Sequence, residues 1–323
     1  MARQAALASL VVPFLAVLAA AQPVPAPQAE PPPVYRSSIE LVALNVAVLD
    51  RDRRYVRGLS ASDFAVFEDG VRQELAFFAT GEVPLDLILL IDTSASMTDK
   101  MATVHEAALG FMRTLRGDDR GAVVAFSDTA RILEPLTHDG ARLATAIRST
   151  QARGSTALYN AVYVAAKVFG RASKEGELRR QAVVVLSDGE DTSSLITFDD
   201  ALEQVKRSGM TFFTISLRSK TARVEGAHQS QAVYAMRILA RETGGEAYEP
   251  QRVDELAAVY GRIAEELGHQ YCLAYMPKNG RADGRFRRVV VQVATRPELV
   301  ARTRTGYYAG ASRVVAGVQG DRQ

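Results

Sequence analysis

The stretch Leu87-Ile88-Leu89-Leu90-Ile91-Asp92-Thr93-Ser94-Ala95-Ser96 carries five consecutive apolar residues straight into an aspartate, followed at alternate positions by two serines. A short apolar run bounded by polar residues reads as a strand buried on both faces, as in parallel sheets covered by helices. Such sheets bind their ligands beyond the carboxyl ends of the strands, which is where Asp92, Ser94 and Ser96 fall. One carboxylate and two hydroxyls supply only hard oxygen donors. That set suits Mg2+ or Mn2+ and disfavours zinc, whose sites want His or Cys.

Similar chemistry recurs further along. Gly154-Ser155-Thr156 precedes an expected helix, and a second apolar strand, 182–186, runs into Ser187-Asp188-Gly189. The DxSxS spacing resembles the metal-ion-dependent adhesion site of von Willebrand factor type A (VWA) domains, and the likeness extends from Leu85 to Leu267. It implies a threonine from a second loop and an aspartate from a third, positions filled here by Thr156 and Asp188. The implied ligand set is therefore Asp92, Ser94, Ser96, Thr156 and Asp188, holding Mg2+ or Mn2+. The two aspartates offset the charge of the ion, and the hydroxyls add oxygens without further charge. Because Mg2+ keeps several waters, the resemblance also implies a coordination position for an Asp or Glu of a protein partner. The competing reading is that the serines cap the following helix and the aspartates bond turn amides.

Other chemistries fail on spacing. An EF-hand loop starting at Asp92 would place Met97 at its glycine and Thr103 at its bidentate glutamate. A strand-end phosphotransferase wants a second acid where Ser94 stands. No GxSxG elbow occurs, and neither Ser94 nor Ser96 has a recognisable His partner; His105 falls in the following helix, where solvent exposure is the simplest account. The four histidines form no HExxH pair, and the single Cys272 rules out an internal disulfide. A formal charge of +2 gives no drive toward nucleic acid or a membrane surface. The reading is non-enzymatic.

Composition divides the 323 residues further. Arg3 precedes an uncharged Ala/Leu/Val-rich stretch and Ala19-Ala20-Ala21, so 1–21 is expected to be a signal peptide cut before Gln22, leaving no stable membrane span. Residues 22–34 form a Pro/Ala-rich linker, and 311–323 a flexible tail. Between them lie an N-terminal β part (35–82), the VWA region (83–268) and a C-terminal β part (269–310). In the first, Val42, Leu44, Val46 and Val48 alternate, and Phe64–Phe67 turns at Asp69-Gly70 with Leu75, Phe77 and Phe78 expected to return. Too few strands stand at either end to be stable alone. The expectation is one small β-sandwich from both ends, with the VWA domain inserted; the rival is two independent appendages. Val46-Ala47-Val48, Gly58-Leu59, Asp63-Phe64, Glu68-Asp69-Gly70 and Gly306-Tyr307-Tyr308 around a VWA region together resemble the VWFA-related family of exported bacterial proteins.

Inside 83–268, strands and helices alternate, the pattern of an α/β, doubly wound, mostly parallel sheet flanked by helices; 132–136 is expected as a short edge strand. The polar stretch 218–230 reads as a surface loop that contributes to binding or is merely tolerated. Arg281, Arg285, Arg287, Arg288, Arg296, Arg302 and Arg304 read as a solvated sheet face rather than an anion-binding one. Glu190 and Asp191 stand either behind the metal ligands or as plain loop residues. The functional expectation is an exported, periplasmic or secreted, protein-binding module of adhesion type. The alternative is an envelope assembly scaffold that uses the β-sandwich, its metal site structural or vacant. Oligomeric state is not legible.

Overall fold

A computed structural model describes residues 41–310 apart from 82, 173–177, 189 and 218–230. The expected leader, linker and tail, and the loop 218–230, lie outside the described residues. The N-terminal strands are β1 (Val42–Leu49), β2 (Phe64–Glu68), β3 (Val71–Gln73) and β4 (Leu75–Thr80). The central region runs β5 (Leu85–Asp92), α1 (Met101–Met112), β6 (Arg120–Phe126), β7 (Ala130–Thr137), α2 (Gly140–Arg148) and α3 (Leu158–Ala172). It continues β8 (Arg180–Ser187), α4 (Phe198–Ser208), β9 (Thr211–Ser216), α5 (Gln231–Thr243), β10 (Ala247–Tyr248) and α6 (Leu256–His269). Last come β11 (Tyr271–Tyr275), β12 (Phe286–Val293), β13 (Val300–Arg302) and β14 (Gly306–Tyr308).

The central sheet has the order β10-β9-β8-β5-β6-β7, parallel throughout except for β7. Every residue of β5 is buried. Leu87, Leu89 and Ile91 pack on one side against α1, α2 and α6, whereas Ile88 and Leu90 pack on the other against α3, α4 and α5. An apolar residue at every position is thus what a strand sandwiched between two helix layers requires. β7 is longer than the expected 132–136 and tolerates Pro135, because the register against β6 is irregular there and the strand is an edge. The chain order reverses about β5: β6 and β7 lie to one side, β8 to β10 to the other. The carboxyl ends of β5 and β8 therefore flank the switch point of the sheet.

Two four-stranded antiparallel sheets complete the fold, β13-β1-β11-β4 and β14-β12-β2-β3. Each mixes strands from before and after the central region, and their inner faces share one core of Val42, Leu44, Val46, Phe64, Val66, Leu273, Val289, Val291 and neighbours. The single sandwich holds, and two independent appendages are excluded. Two details differ from expectation. Asp69 and Gly70, both at positive φ, make the tight turn that Asp-Gly favours, but the returning strand is β3. Leu75–Thr80 crosses instead to the other sheet and pairs with β11. β11 and β12, between which Pro277-Lys278-Asn279-Gly280 reads from sequence as a hairpin turn, likewise belong to different sheets.

The arginines of the C-terminal strands also depart from the solvated-face reading. Arg281, Arg285, Arg288 and Arg296 are exposed, but Arg287 and Arg304 are buried. Arg287 pairs with the buried Glu68 at 3.1 Å, and Tyr275 and Tyr307 donate to the other oxygen of Glu68 at 2.8 and 2.9 Å. Arg302 reaches across to the central region, bonding Glu246 at 2.7 Å and pairing with Glu266 of α6, which also accepts from the Tyr55 hydroxyl at 2.7 Å. Lys206 and Arg207 of α4 lie over the rings of Phe286 and Tyr308, each 4.1 Å from the centroid. Cys272 is buried in β11, its thiol pushed up to about 11 by burial.

Candidate metal centre

Asp92 ends β5, and Ser187 ends β8 just before Asp188, so the two carboxylates meet at the switch point by the course of the strands alone. Asp92 is fully buried. Its Oδ1 accepts the Ser94 N–H at 2.8 Å, and its Oδ2 accepts the Ser187 hydroxyl at 2.6 Å. The hydroxyls of Ser94 and Ser96 lie 3.1 Å apart, and Ser96 donates to Asp188 Oδ1 at 2.7 Å. Asp188 Oδ2 accepts from the Lys100 ammonium, which also donates to the Ser96 carbonyl at 2.7 Å. Four of the five expected residues, Asp92, Ser94, Ser96 and Asp188, are thereby joined in one hydrogen-bonded chain, with Ser187 at one end and Lys100 at the other.

Thr156, the fifth, arrives on a loop stapled to the first. Arg153 N–H donates to Thr93 O at 2.7 Å and Ala95 N–H to Gly154 O at 3.0 Å. Gly154 is at φ +78°, and a Cβ there would stand 2.2 Å from Asp128 Oδ2. Glycine is required at this corner both by its left-handed backbone and by the carboxylate of Asp128, which accepts the Ser155 N–H at 2.8 Å. The Thr156 backbone is tied to the third loop: its N–H donates to Thr192 Oγ1 at 3.1 Å and its carbonyl accepts Thr192 N–H at 2.8 Å. Its hydroxyl stands outside the hydrogen-bonded chain of the other four among the described residues. The 3-10 turn Ala95–Met97 follows Ser94 without a side-chain cap, so the capping alternative does not account for Ser94.

Glu190 and Asp191 serve the loops rather than the hydroxyls. Glu190 accepts from Ala232 N–H near the start of α5 at 2.9 Å, while Asp191 accepts Tyr159 N–H of α3 at 2.8 Å and Ser194 N–H at 2.9 Å. His105 is half-buried, not solvent-exposed; its Nε2 lies 2.6 Å from the Thr150 hydroxyl and burial lowers its pKa. Sequence reading missed Ser187, Asp128 and Lys100. Ser187 had a signal, being the last strand residue beside Asp188. The other two had none beyond proximity, since Asp128 acts across 27 positions and Lys100 across 88.

Burial holds the Asp92 carboxyl above the ordinary carboxylate range and the nearby charge of Asp188 adds to this, while the bonds from Ser187 and Ser94 oppose it. Two acids gathered among hydroxyls at a strand end form a set of hard oxygen donors that a divalent cation fits, and such a cation would relieve the cost of charging Asp92. Among the described residues no group of three or more His, Cys, Asp and Glu side chains could hold a metal ion, here or elsewhere, so the candidate centre rests on two carboxylates and the hydroxyls beside them. No helix among them is long and apolar enough to cross a membrane.

Residues 87–190 match the family model described as von Willebrand factor type A domain. "Uncharacterized protein sll0103" of Synechocystis is 36% identical over 112 residues, covering 34% of this chain and 26% of that protein. UPF0353 protein MLBr01808 of Mycobacterium leprae is 29% identical over 205 residues, covering 57% of this chain and 61% of that protein. The chain thus spans between about a quarter and three fifths of the length of these curated relatives. Among solved structures, a von Willebrand factor type A protein from Catenulispora acidiphila is 16% identical with a TM-score of 0.48, covering 83% of this chain and 71% of that one. The vWF domain of the type V pili tip protein Mfa5 from Porphyromonas gingivalis is 14% identical with a TM-score of 0.46, covering 57% of this chain and 94% of that one.

Proposed function

We propose, from the premise that this chain carries a von Willebrand factor type A domain over residues 87–190, that it is an exported, non-enzymatic binding module whose Mg2+ site receives an acidic side chain of a protein partner. The observation that carries the reading is the chain of bonds from Ser187 through Asp92, Ser94 and Ser96 to Asp188 at the switch point of the sheet. It gathers two carboxylates and several hydroxyls where doubly wound folds bind ligands. Asp92, Ser94, Ser96, Thr156 and Asp188 would hold the ion, with Mn2+ as the substitute. The bound ion would supply a positive centre with coordination positions left to water or to a carboxylate from outside.

The residues around the site support binding rather than turnover. The hydroxyl of Ser94 is bonded to that of Ser96 and its amide to Asp92, so its described partners lie within the ligand set itself. The imidazole of His105 is directed to Thr150. Export rests on the N-terminal sequence, an uncharged Ala/Leu/Val-rich stretch after Arg3. The direct test is isothermal titration of chelator-stripped protein with Mg2+ and with Mn2+, beside Asp92→Ala. The expected result is one site in the wild type and loss of at least about a hundredfold in affinity in the variant, as removal of a charged ligand entails. Equal affinity in the two proteins would defeat the assignment.

A further inference from the structure

Among the described residues, the Lys100 ammonium is the one cationic group bonded to the candidate ligands. Its side chain is 14% exposed, whereas that of Asp188 is fully buried. It precedes α1 directly and is held from two sides, by Asp188 Oδ2 and by the Ser96 carbonyl at 2.7 Å. Both oxygens of Asp188 are therefore engaged, Oδ1 by the Ser96 hydroxyl and Oδ2 by Lys100. Asp92 has no such counter-charge: its described partners are a hydroxyl and an amide. The site thus holds two carboxylates and one tethered positive charge, and that charge sits on Asp188, the carboxylate from β8.

We propose that Lys100 is a built-in competitor for the divalent cation, a tethered ammonium that neutralises Asp188 and sets the Mg2+ concentration at which the site fills. This rests on the metal-site reading above. A divalent ion and the ammonium both seek the Asp188 carboxylate, and they repel each other at short range in a partly buried site where water screens poorly. The lysine is suited to the task because its four-carbon stem lets the charge swing out to solvent while the backbone before α1 stays in place. A serine or threonine at this position would leave Asp188 charged and open, and the site would fill at lower Mg2+.

The test compares Mg2+ titrations of the chelator-stripped full chain, Lys100→Met and Lys100→Arg. Methionine keeps the unbranched stem without the charge, and arginine keeps the charge. Mg2+ is expected to bind Lys100→Met on the order of tenfold more tightly than the wild type, with Lys100→Arg close to the wild type. In parallel, the Lys100 ammonium resonance, seen in the metal-free protein by side-chain NMR, should lose its protection as Mg2+ is added. Equal or weaker Mg2+ binding by Lys100→Met, with the wild type binding normally, would overturn the competitor and leave the metal site standing. Titrations without heat in all three proteins would instead bring down the metal site itself, and the competitor with it. Binding by Lys100→Met alone would establish the competition in its strongest form.

Discussion

Two buried acid clusters in this molecule use similar parts to opposite ends. In the sandwich, the Glu68 carboxylate meets the Arg287 guanidinium and two tyrosine hydroxyls, so its charge is balanced within the chain. At the ends of β5 and β8, two carboxylates, Asp92 and Asp188, meet serine hydroxyls and a single ammonium, which leaves an excess negative charge. The first arrangement satisfies its charges within the chain and contributes to holding two sheets together. The second does not, and burial raises the cost of keeping Asp92 ionised. A buried group that the fold leaves uncompensated is a candidate for work on something outside the fold.

The contrast predicts mutations of opposite sign. The largest effect belongs to the sandwich: Glu68→Ala removes the buried carboxylate that faces Arg287, leaving it only the half-exposed Asp283 at 3.7 Å, and is expected to cost about 3–5 kcal/mol, read as a lower denaturation midpoint. A loss near zero would mean that Glu68 and Arg287 do not pair in solution. Next, Gly154→Ala forces a side chain into the left-handed region and against Asp128. It should cost about 1–3 kcal/mol and weaken Mg2+ binding through the displaced Thr156 loop; a stability loss with unchanged Mg2+ affinity would detach Thr156 from the site. The smallest effect runs the other way. Asp92→Asn can keep the Ser94 bond through its amide oxygen and donate its NH2 to the Ser187 hydroxyl in place of accepting from it, while removing one charge, so in chelator the urea midpoint should rise slightly above that of the wild type. A fall would place Asp92 with Glu68 among purely structural acids.

Much of this was legible in the residues. The apolar run of β5 with polar bounds announced a strand covered on both faces, and Asp92, Ser94 and Ser96 could be placed at its end from that alone; Asp188, past the second apolar strand, joined them through family likeness. Thr156 was reachable only through family likeness, because its loop is positioned by backbone bonds from Arg153 and Ala95 that no spacing reveals. Sandwich pairing was harder. β3 and β4 follow one another within two residues yet enter different sheets, a choice made by partners near the other end of the chain rather than by local alternation. For the same reason Arg287 read as a surface charge: its carboxylate partner, Glu68, lies 219 positions away. Lys100 escaped notice because a charged residue just before a helix is ordinarily unremarkable.

The interleaving of the two ends also sets a timetable for synthesis. β4 pairs through Thr80 with Tyr271 of β11, so about 190 residues must be made after the first strands before their partners exist. At roughly 5–20 residues per second, those strands wait about ten to forty seconds with their edges unpaired. The central region, whose strands find neighbours from within its own stretch of chain, is free to fold during that interval and to bring the two ends together. The sandwich is then closed last, by strands made after the central region.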